Sequence, residues 1–263
     1  MFYNSAFNKP IGNWNVSLVT NMNGMFYNAS AFNQEIRGWN ISQFTNFLDM
    51  FLNASLFQST YTAPDTPAPA FFILPLTNIT IYTAVNLWIS NNASAVTTYG
   101  QINDWDVSNV TNMANLFKDK TSFNDDISDW NVSNVTTMKM MLWKTNAFNQ
   151  DISDWIVSNV TNMEGMFNQL AVFNQDIGGW DVAKVTTMKN MLNGATVFNQ
   201  EIRGWNVSSV TNFDNMFYNA TAFKADYAVN NTPDATFFII PITDDNIQTA
   251  VNLWISSPTT ATA

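Results

Sequence analysis

Tryptophan recurs at a fixed interval along this chain. It stands at 105, 130, 155, 180 and 205, each step being 25 residues (130 − 105), and again at 14 and 39. A fixed period of this size is the signature of a repeat array, in which one supersecondary unit stacks on the next. Other apolar positions keep the same phase. Val107, Val132, Val157, Val182 and Val207 follow the tryptophans by two residues, and Phe123, Phe148, Phe173 and Phe198 follow them by eighteen. No single helix or strand period fits the whole set, so each unit is a full coil made of several short segments.

The six residues Ile152-x-x-Trp155-x-Val157, repeated at 127–132, 177–182 and 202–207, have the apolar spacing of a leucine-rich-repeat strand. The expected fold class is therefore a repeat solenoid. It would be a leucine-rich-repeat-like right-handed coil with a narrow parallel β-sheet and 25-residue turns, interrupted by short helical junctions. Trp14, Trp39, Trp105, Trp130, Trp155, Trp180 and Trp205 are expected to point inward as a core column. The other reading of that column is a platform for stacking sugars or bases. Thr follows each Trp by six residues (Thr20, Thr45, Thr111, Thr136, Thr161, Thr186, Thr211), which suggests a hydroxyl ladder bonding to turn backbone.

Four segments follow from the pattern. Residues 1–60 form coil block 1. Residues 61–100 form a junction, with a Pro- and Ala-rich connection at 61–70, a short extended apolar run at 71–75 and a helix at 77–89. In that helix Thr77 is the expected N-cap, and Ile81, Ala84, Val85 and Trp88 share one face. Residues 101–226 form coil block 2 with five Trp turns, and 227–263 a second junction with a helix at 243–255. The second junction repeats the first at an offset of 166 (254 − 88). Such a helix either caps an apolar coil end or docks one block on another. Met1-Phe2-Tyr3-Asn4 matches Met25-Phe26-Tyr27-Asn28, so the chain begins inside a turn and reads as a segment of something longer.

Composition narrows the function classes. Only 11% of residues are charged, the net charge is −10, and there is neither histidine nor cysteine. The charge argues against nucleic acid and anionic membrane surfaces, whose binding rests on Lys and Arg. Missing histidine removes the commonest general base and metal ligand, and missing cysteine removes disulfides and thiolate sites. No apolar run approaches the roughly 18 residues that a membrane helix needs. No catalytic and no cofactor-binding residues are expected, because a repeat places its carboxylates alike in every turn, whereas a catalytic pair needs two different environments. Asp104, Asp129 and Asp154, each one place before Trp, are candidate Ca²⁺ ligands stacked one coil apart, with a solvated acidic face as the favoured reading.

Asn-x-Ser/Thr acceptor triplets are abundant: Asn15, Asn28, Asn40, Asn53, Asn78, Asn92, Asn109, Asn131, Asn134, Asn159, Asn206, Asn219 and Asn230. In a source that glycosylates, Asn131 and Asn206, between an inward Trp and an inward Val, would face outward and could carry N-linked glycans.

The run F-N-Q-D-I-S-D-W-x-V-S-N-V-T-N-M-x-x-M-F (148–167) resembles a bacterial surface-protein repeat of about 25 residues, related to BspA-like leucine-rich repeats and to a domain of unknown function in surface lipoproteins. The junction motif T-x-x-x-I-x-T-A-V-N-L-W resembles segments between such blocks in proteins of algae and their large viruses. The resemblance implies a secreted or surface-displayed protein without enzymatic activity. Trp in place of the middle Leu is a departure from the leucine-rich pattern.

The expected function is thus an extracellular structural or assembly protein, with self as its partner. Residues 237–257 of one copy would pack near 1–26 of the next in a surface fibre. The alternative is a cell-surface adhesin using the sheet face. The outward position after Trp is Asn, Asp or Ile156 rather than Tyr or Trp, which favours structure over recognition.

Overall fold

A computed structural model describes residues 1–39, 41, 45–72 and 75–239. The expected helix at 243–255, the acceptor Asn40, and Ile73 and Leu74 of the apolar run lie outside these residues. The chain forms two compact units: Met1–Pro75 with Asn91–Gln101, and Leu76–Ser90 with the residues from Ile102 onward.

Both units are built from 25-residue coils, but not in the expected way. Among the described residues there is no β-strand and no sheet, only isolated parallel bridges such as Asn112↔Thr137 and Thr137↔Asn162. The leucine-rich-repeat-like solenoid with a narrow parallel sheet is not what this chain forms. The reason lies in where the backbone N–H groups go. In the segment read as a strand, Trp155 N donates to Ile152 O (3.2 Å) and Val160 N to Val157 O (2.8 Å), closing tight turns. Asp151 Oδ1 accepts from Ser153 N at 2.9 Å, an Asx turn that bends the chain where a strand would run straight.

Coils are joined elsewhere. Met138, Met140, Leu142 and Lys144 donate their N–H groups to Asn162, Glu164, Met166 and Asn168 carbonyls of the next coil. The intervening Met141, Trp143 and Thr145 donate back to the residue three before them. A segment that spends every second N–H on a turn cannot extend into a strand. Two residues per coil take positive φ to make these turns, as at Asn115 and Asp119, and this favours Asn, Asp and Gly there. Met140 and Lys144 hold the same conformation without that advantage.

Each coil is tied to the one before through its Trp. Trp130, Trp155, Trp180 and Trp205 donate indole Nε1 to the carbonyls of Ile102, Ile127, Ile152 and Ile177, at 2.7–3.2 Å. Trp39 does the same to Ile11 in the first unit. These indoles are buried, so the bond satisfies a donor that burial would otherwise strand. Phe123, Phe148, Phe173 and Phe198 form a second stacked column with ring centroids 5.9–6.3 Å apart. The Thr hydroxyls form a ladder: Thr136, Thr161, Thr186 and Thr211 each donate to the carbonyl of the Thr one coil earlier.

The last coil of each unit is closed alike. Helix α1 (Ser55–Tyr61) and a 3₁₀ turn at Pro69–Phe72 follow the last coil of the first unit, and helix α4 (Thr221–Tyr227) and a 3₁₀ turn at Ala235–Phe238 follow that of the second. Phe71 and Phe72, expected to be extended, therefore lie in a 3₁₀ turn. A loop stands in for the missing next coil: Phe51 N donates to Asp65 O and Asp49 N to Thr66 Oγ1, matched by Phe217 N to Asn231 O and Asn215 N to Thr232 Oγ1, all at 2.9 Å. The Asn column shows the same ends. Asn124, Asn149 and Asn174 accept from the backbone N–H one coil on, while the buried Oδ1 atoms of Asn33 and Asn199, each in a last coil, find no donor.

A Glu-x-Arg pair marks each last coil. Arg203 stacks on Tyr227 of α4 at 4.9 Å and, hydrogen-bonded to Glu201, holds that carboxyl below its usual range. Arg37, Glu35 and Tyr61 repeat the arrangement. Where Glu201 passes, Gly178 has no room for a side chain: a Cβ there would sit 2.3 Å from Glu201 O, whereas one on Gly179 would meet nothing within 4 Å. Gly178→Ala is therefore expected to cost about 1–3 kcal/mol, the usual range for overpacking. Gly179→Ala should stay within about 0.5 kcal/mol of wild type. Urea denaturation of both variants tests this, and equal midpoints would contradict it.

Candidate functional site

The most distinctive surface in the first unit is the face of its first Trp coil. Trp14 is 41% exposed, whereas the other six repeat tryptophans are about 3–4% exposed. Trp14 therefore departs from the expected core column. It stacks on Trp39 at 6.5 Å, and Phe2 lies tilted against it at 6.2 Å. Val19 and Leu18 beside it are also exposed, and with Met1, Val16, Met22 and Met25 the indole lines an open groove of about 680 Å³.

The second unit shows what such a face looks like when covered. Subtracting 91 (105 − 14) maps Trp105 to Trp14 and Val110 to Val19. Helix α2 (Thr80–Ser90) lies over Trp105, burying Ile81, Ala84, Val85 and Trp88, the four residues expected to share a face. Trp88 meets Trp105 edge to face at 5.7 Å. Val110, unlike Val19, is fully buried. Thr77 O accepts from Ile81 N, and Thr77 Oγ1 accepts from the N–H groups of Ile79 and Thr80, so Thr77 caps the start of α2.

Polar groups fix α2 at four points, one of them Lys120 Nζ, which donates to Asn86 Oδ1 at 3.0 Å. Asn78 closes the open edge of the Thr ladder: its Oδ1 accepts from the N–H groups of Thr111 (2.8 Å) and Asn112 (3.0 Å), and its Nδ2 donates to Thr111 Oγ1 (2.9 Å). Tyr82 donates its hydroxyl to Ala114 O at 2.8 Å, and burial raises the phenol's pKa. Trp88 Nε1 donates to Asp125 Oδ2 at 2.9 Å. Leu76 N donates to Asp106 O just ahead of the helix.

Residues 90–100 carry an element that the spacing did not suggest. Helix α3 (Asn92–Tyr99) belongs to the first unit and begins at Asn91, whose side chain accepts from Ser94 N. The Asn-Asn-Ala-Ser stretch is a readable N-cap, though it lies outside the repeat.

The glycan-acceptor candidates fall into two sets. Asn15, Asn131 and Asn206 are exposed, with Oδ1 turned back to the N–H two residues on. Their Nδ2 atoms have no partner among the described residues. The exposed side chains of Asn109, Asn219 and Asn230 likewise make no bond, and Asn92 starts α3. In the other set the amide nitrogen is already a donor: Asn28 to Asn4, Asn53 to Asn28, Asn78 to Thr111, Asn134 to Ser108 O and Asn159 to Ser133 O. A sugar on Nδ2 displaces that bond. Expressed through a glycosylating secretory route, the chain should carry sugar on Asn131 and Asn206 and none on Asn134 and Asn159. Glycopeptide mass spectrometry showing the reverse occupancy would refute this sorting.

The acidic candidates sit on the surface. Asp129 accepts from Asn103 Nδ2 at 2.8 Å, and Asp104 and Asp129 border one open groove. Among the described residues, no group of three or more His, Cys, Asp or Glu side chains could hold a metal ion, and Asp154 is not gathered with the other two into one.

Among the described residues the fold is that of a repeat protein of stacked 25-residue coils without a sheet, in which helical segments close the last coil of each unit and the first coil of the second. The model of the family described as "Mycoplasma protein of unknown function, DUF285" matches residues 1–68, 88–183 and 151–238, and this chain belongs to that family. No curated protein and no solved structure matches it. No helix among the described residues is long and apolar enough to cross a membrane.

Proposed function

We propose that this chain is a non-enzymatic structural protein of the cell exterior whose copies join end to end into a surface fibre. The observation that carries this reading is the exposed Trp14 face, taken together with the burial of the matching face of the second unit by a helix. An exposed tryptophan in an open groove rimmed by asparagines suits an interaction surface. A contact between unlike ends is heterologous, and such contacts grow into open filaments unless the rotation closes a ring. The low charge and the Asn-, Ser- and Thr-rich surface suit a wall or glycan-rich setting, and N-linked sugar on the outward asparagines belongs to the same reading. So does kinship with BspA-type surface repeats and with junction segments of the algal and viral kind. Electron microscopy of native material tests the proposal. Linear arrays of copies are expected, and uniformly separate particles would end it.

A further inference from the structure

The sequence 242–256 repeats the apolar face of 76–90, while Asn78 and Tyr82, two of its polar contacts, become Asp244 and Gln248. Thr243, Ile247, Ala250, Val251 and Trp254 stand where Thr77, Ile81, Ala84, Val85 and Trp88 stand, at the constant offset of 166. The chain therefore carries two copies of one capping sequence and two copies of the face that it caps. Only the pairing of the first sequence with the second unit is present among the described residues. We infer that residues 242–256 of a second copy dock on the Trp14 face as α2 docks on Trp105. This inference rests on the end-to-end reading for its biological setting, but the site is argued from its own chemistry.

The polar contacts match in part, since Tyr82 becomes Gln248 and Lys120, the donor to Asn86, becomes Ala29. Thr20 and Asn21 correspond to Thr111 and Asn112, and their N–H groups have no acceptor among the described residues. Asn78 corresponds to Asp244, whose carboxylate can accept from both N–H groups and from the Thr20 hydroxyl. Charge-assisted bonds of this kind are shorter and stronger than neutral ones. Asp244 and Asp245 correspond to Asn78 and Ile79, just ahead of α2, and the N-terminal end of a helix docked in the same way would favour their negative charge. Asp125, the acceptor for Trp88, corresponds to Gln34. Gln34 donates its Nε2 to Asn8, which leaves its carbonyl oxygen to accept an indole N–H from Trp254. The apolar footprint is Trp14 with Val16, Val19 and Met22, the counterparts of Trp105, Val107, Val110 and Met113.

The test uses the full chain carrying Trp254→Ala as acceptor, so that its own capping sequence does not compete, and a synthetic peptide of residues 240–257 as probe. Saturable binding is expected by fluorescence anisotropy. Val19→Asp or Trp14→Ala in the acceptor should weaken it at least tenfold. Asp244→Ala in the peptide should weaken it several-fold, whereas Asp244→Asn, which restores the residue type of Asn78, should retain most of it. Val19 and Trp14 are partly exposed, so these acceptors should still fold, and an unchanged far-UV spectrum verifies that. No binding, or binding indifferent to Val19→Asp, overturns the inference. A face already filled by another helix of the same polypeptide gives no binding and counts against it too. The two readings separate cleanly. Native fibres with no peptide binding leave the end-to-end proposal standing on some other contact. Peptide binding with no native fibres leaves the site standing and removes the fibre.

Discussion

Trp155→Ala is expected to lower the stability of the second unit by about 3–5 kcal/mol, the range for deleting a large buried aromatic. The indole is about 3% exposed and links two coils, since its Nε1 donates to Ile127 O and its backbone N–H to Ile152 O. Trp155→Phe separates the two contributions. It keeps most of the buried ring and loses the indole bond. Ile127 O still accepts from Trp130 N at 3.2 Å, so it is not left bare, and the loss should be about 0.5–1.5 kcal/mol. The expected order of denaturation midpoints is wild type, then Phe, then Ala. Because coils touch chiefly their neighbours, faster amide exchange should concentrate between residues 127 and 180. A Trp155→Ala protein that melts with wild type would mean that the indole column does not hold the coils together.

The interval between tryptophans was legible because a coil has a fixed length, and any residue that reaches into the core once per coil must repeat at that length. The helix α2 was legible for a similar reason: Ile81, Ala84, Val85 and Trp88 fall on one face only at a helical period. What the coil backbone does was not. The spacing of Ile152, Trp155 and Val157 suits an inward-facing strand and an inward-facing turn equally well. The choice is made by Asp151, whose side chain claims the Ser153 N–H and bends the chain. The recurring Asp-x-Ser and Asn-x-Ser pairs thus carried turn chemistry that an apolar pattern hides.

End effects were illegible for a different reason. A period assigns the same environment to every tryptophan, but Trp14 and Trp105 lie at coil edges, and their burial depends on what lies beyond the repeat. One signal of an end was present and went unread. Glu-Ile-Arg stands at 35–37 and 201–203, in the last coil of each unit, each facing a Gly (Gly12, Gly178) one coil earlier, whereas 126–128 and 151–153 read Asp-Ile-Ser.

Trp88→Ala probes the cap itself. The residue is 6% exposed, packs edge to face on Trp105 and donates to Asp125, so its truncation should also cost about 3–5 kcal/mol. The effect should be local in a way that Trp155→Ala is not. With α2 loosened, Trp105 and Val110 become what Trp14 and Val19 already are in the first unit: apolar residues at an open coil edge. Amide exchange should quicken at Thr111 and Asn112, whose N–H groups depend on Asn78 just ahead of α2, and fade coil by coil toward Trp205. Asp125→Ala removes only the acceptor of the indole bond, and should cost about 1.5–3 kcal/mol while leaving the aromatic contact in place. If exchange at 111–112 is unchanged in Trp88→Ala, α2 is not what shields the first coil of this unit. The capping sequence at 242–256 would then lose the precedent on which its docking to Trp14 depends.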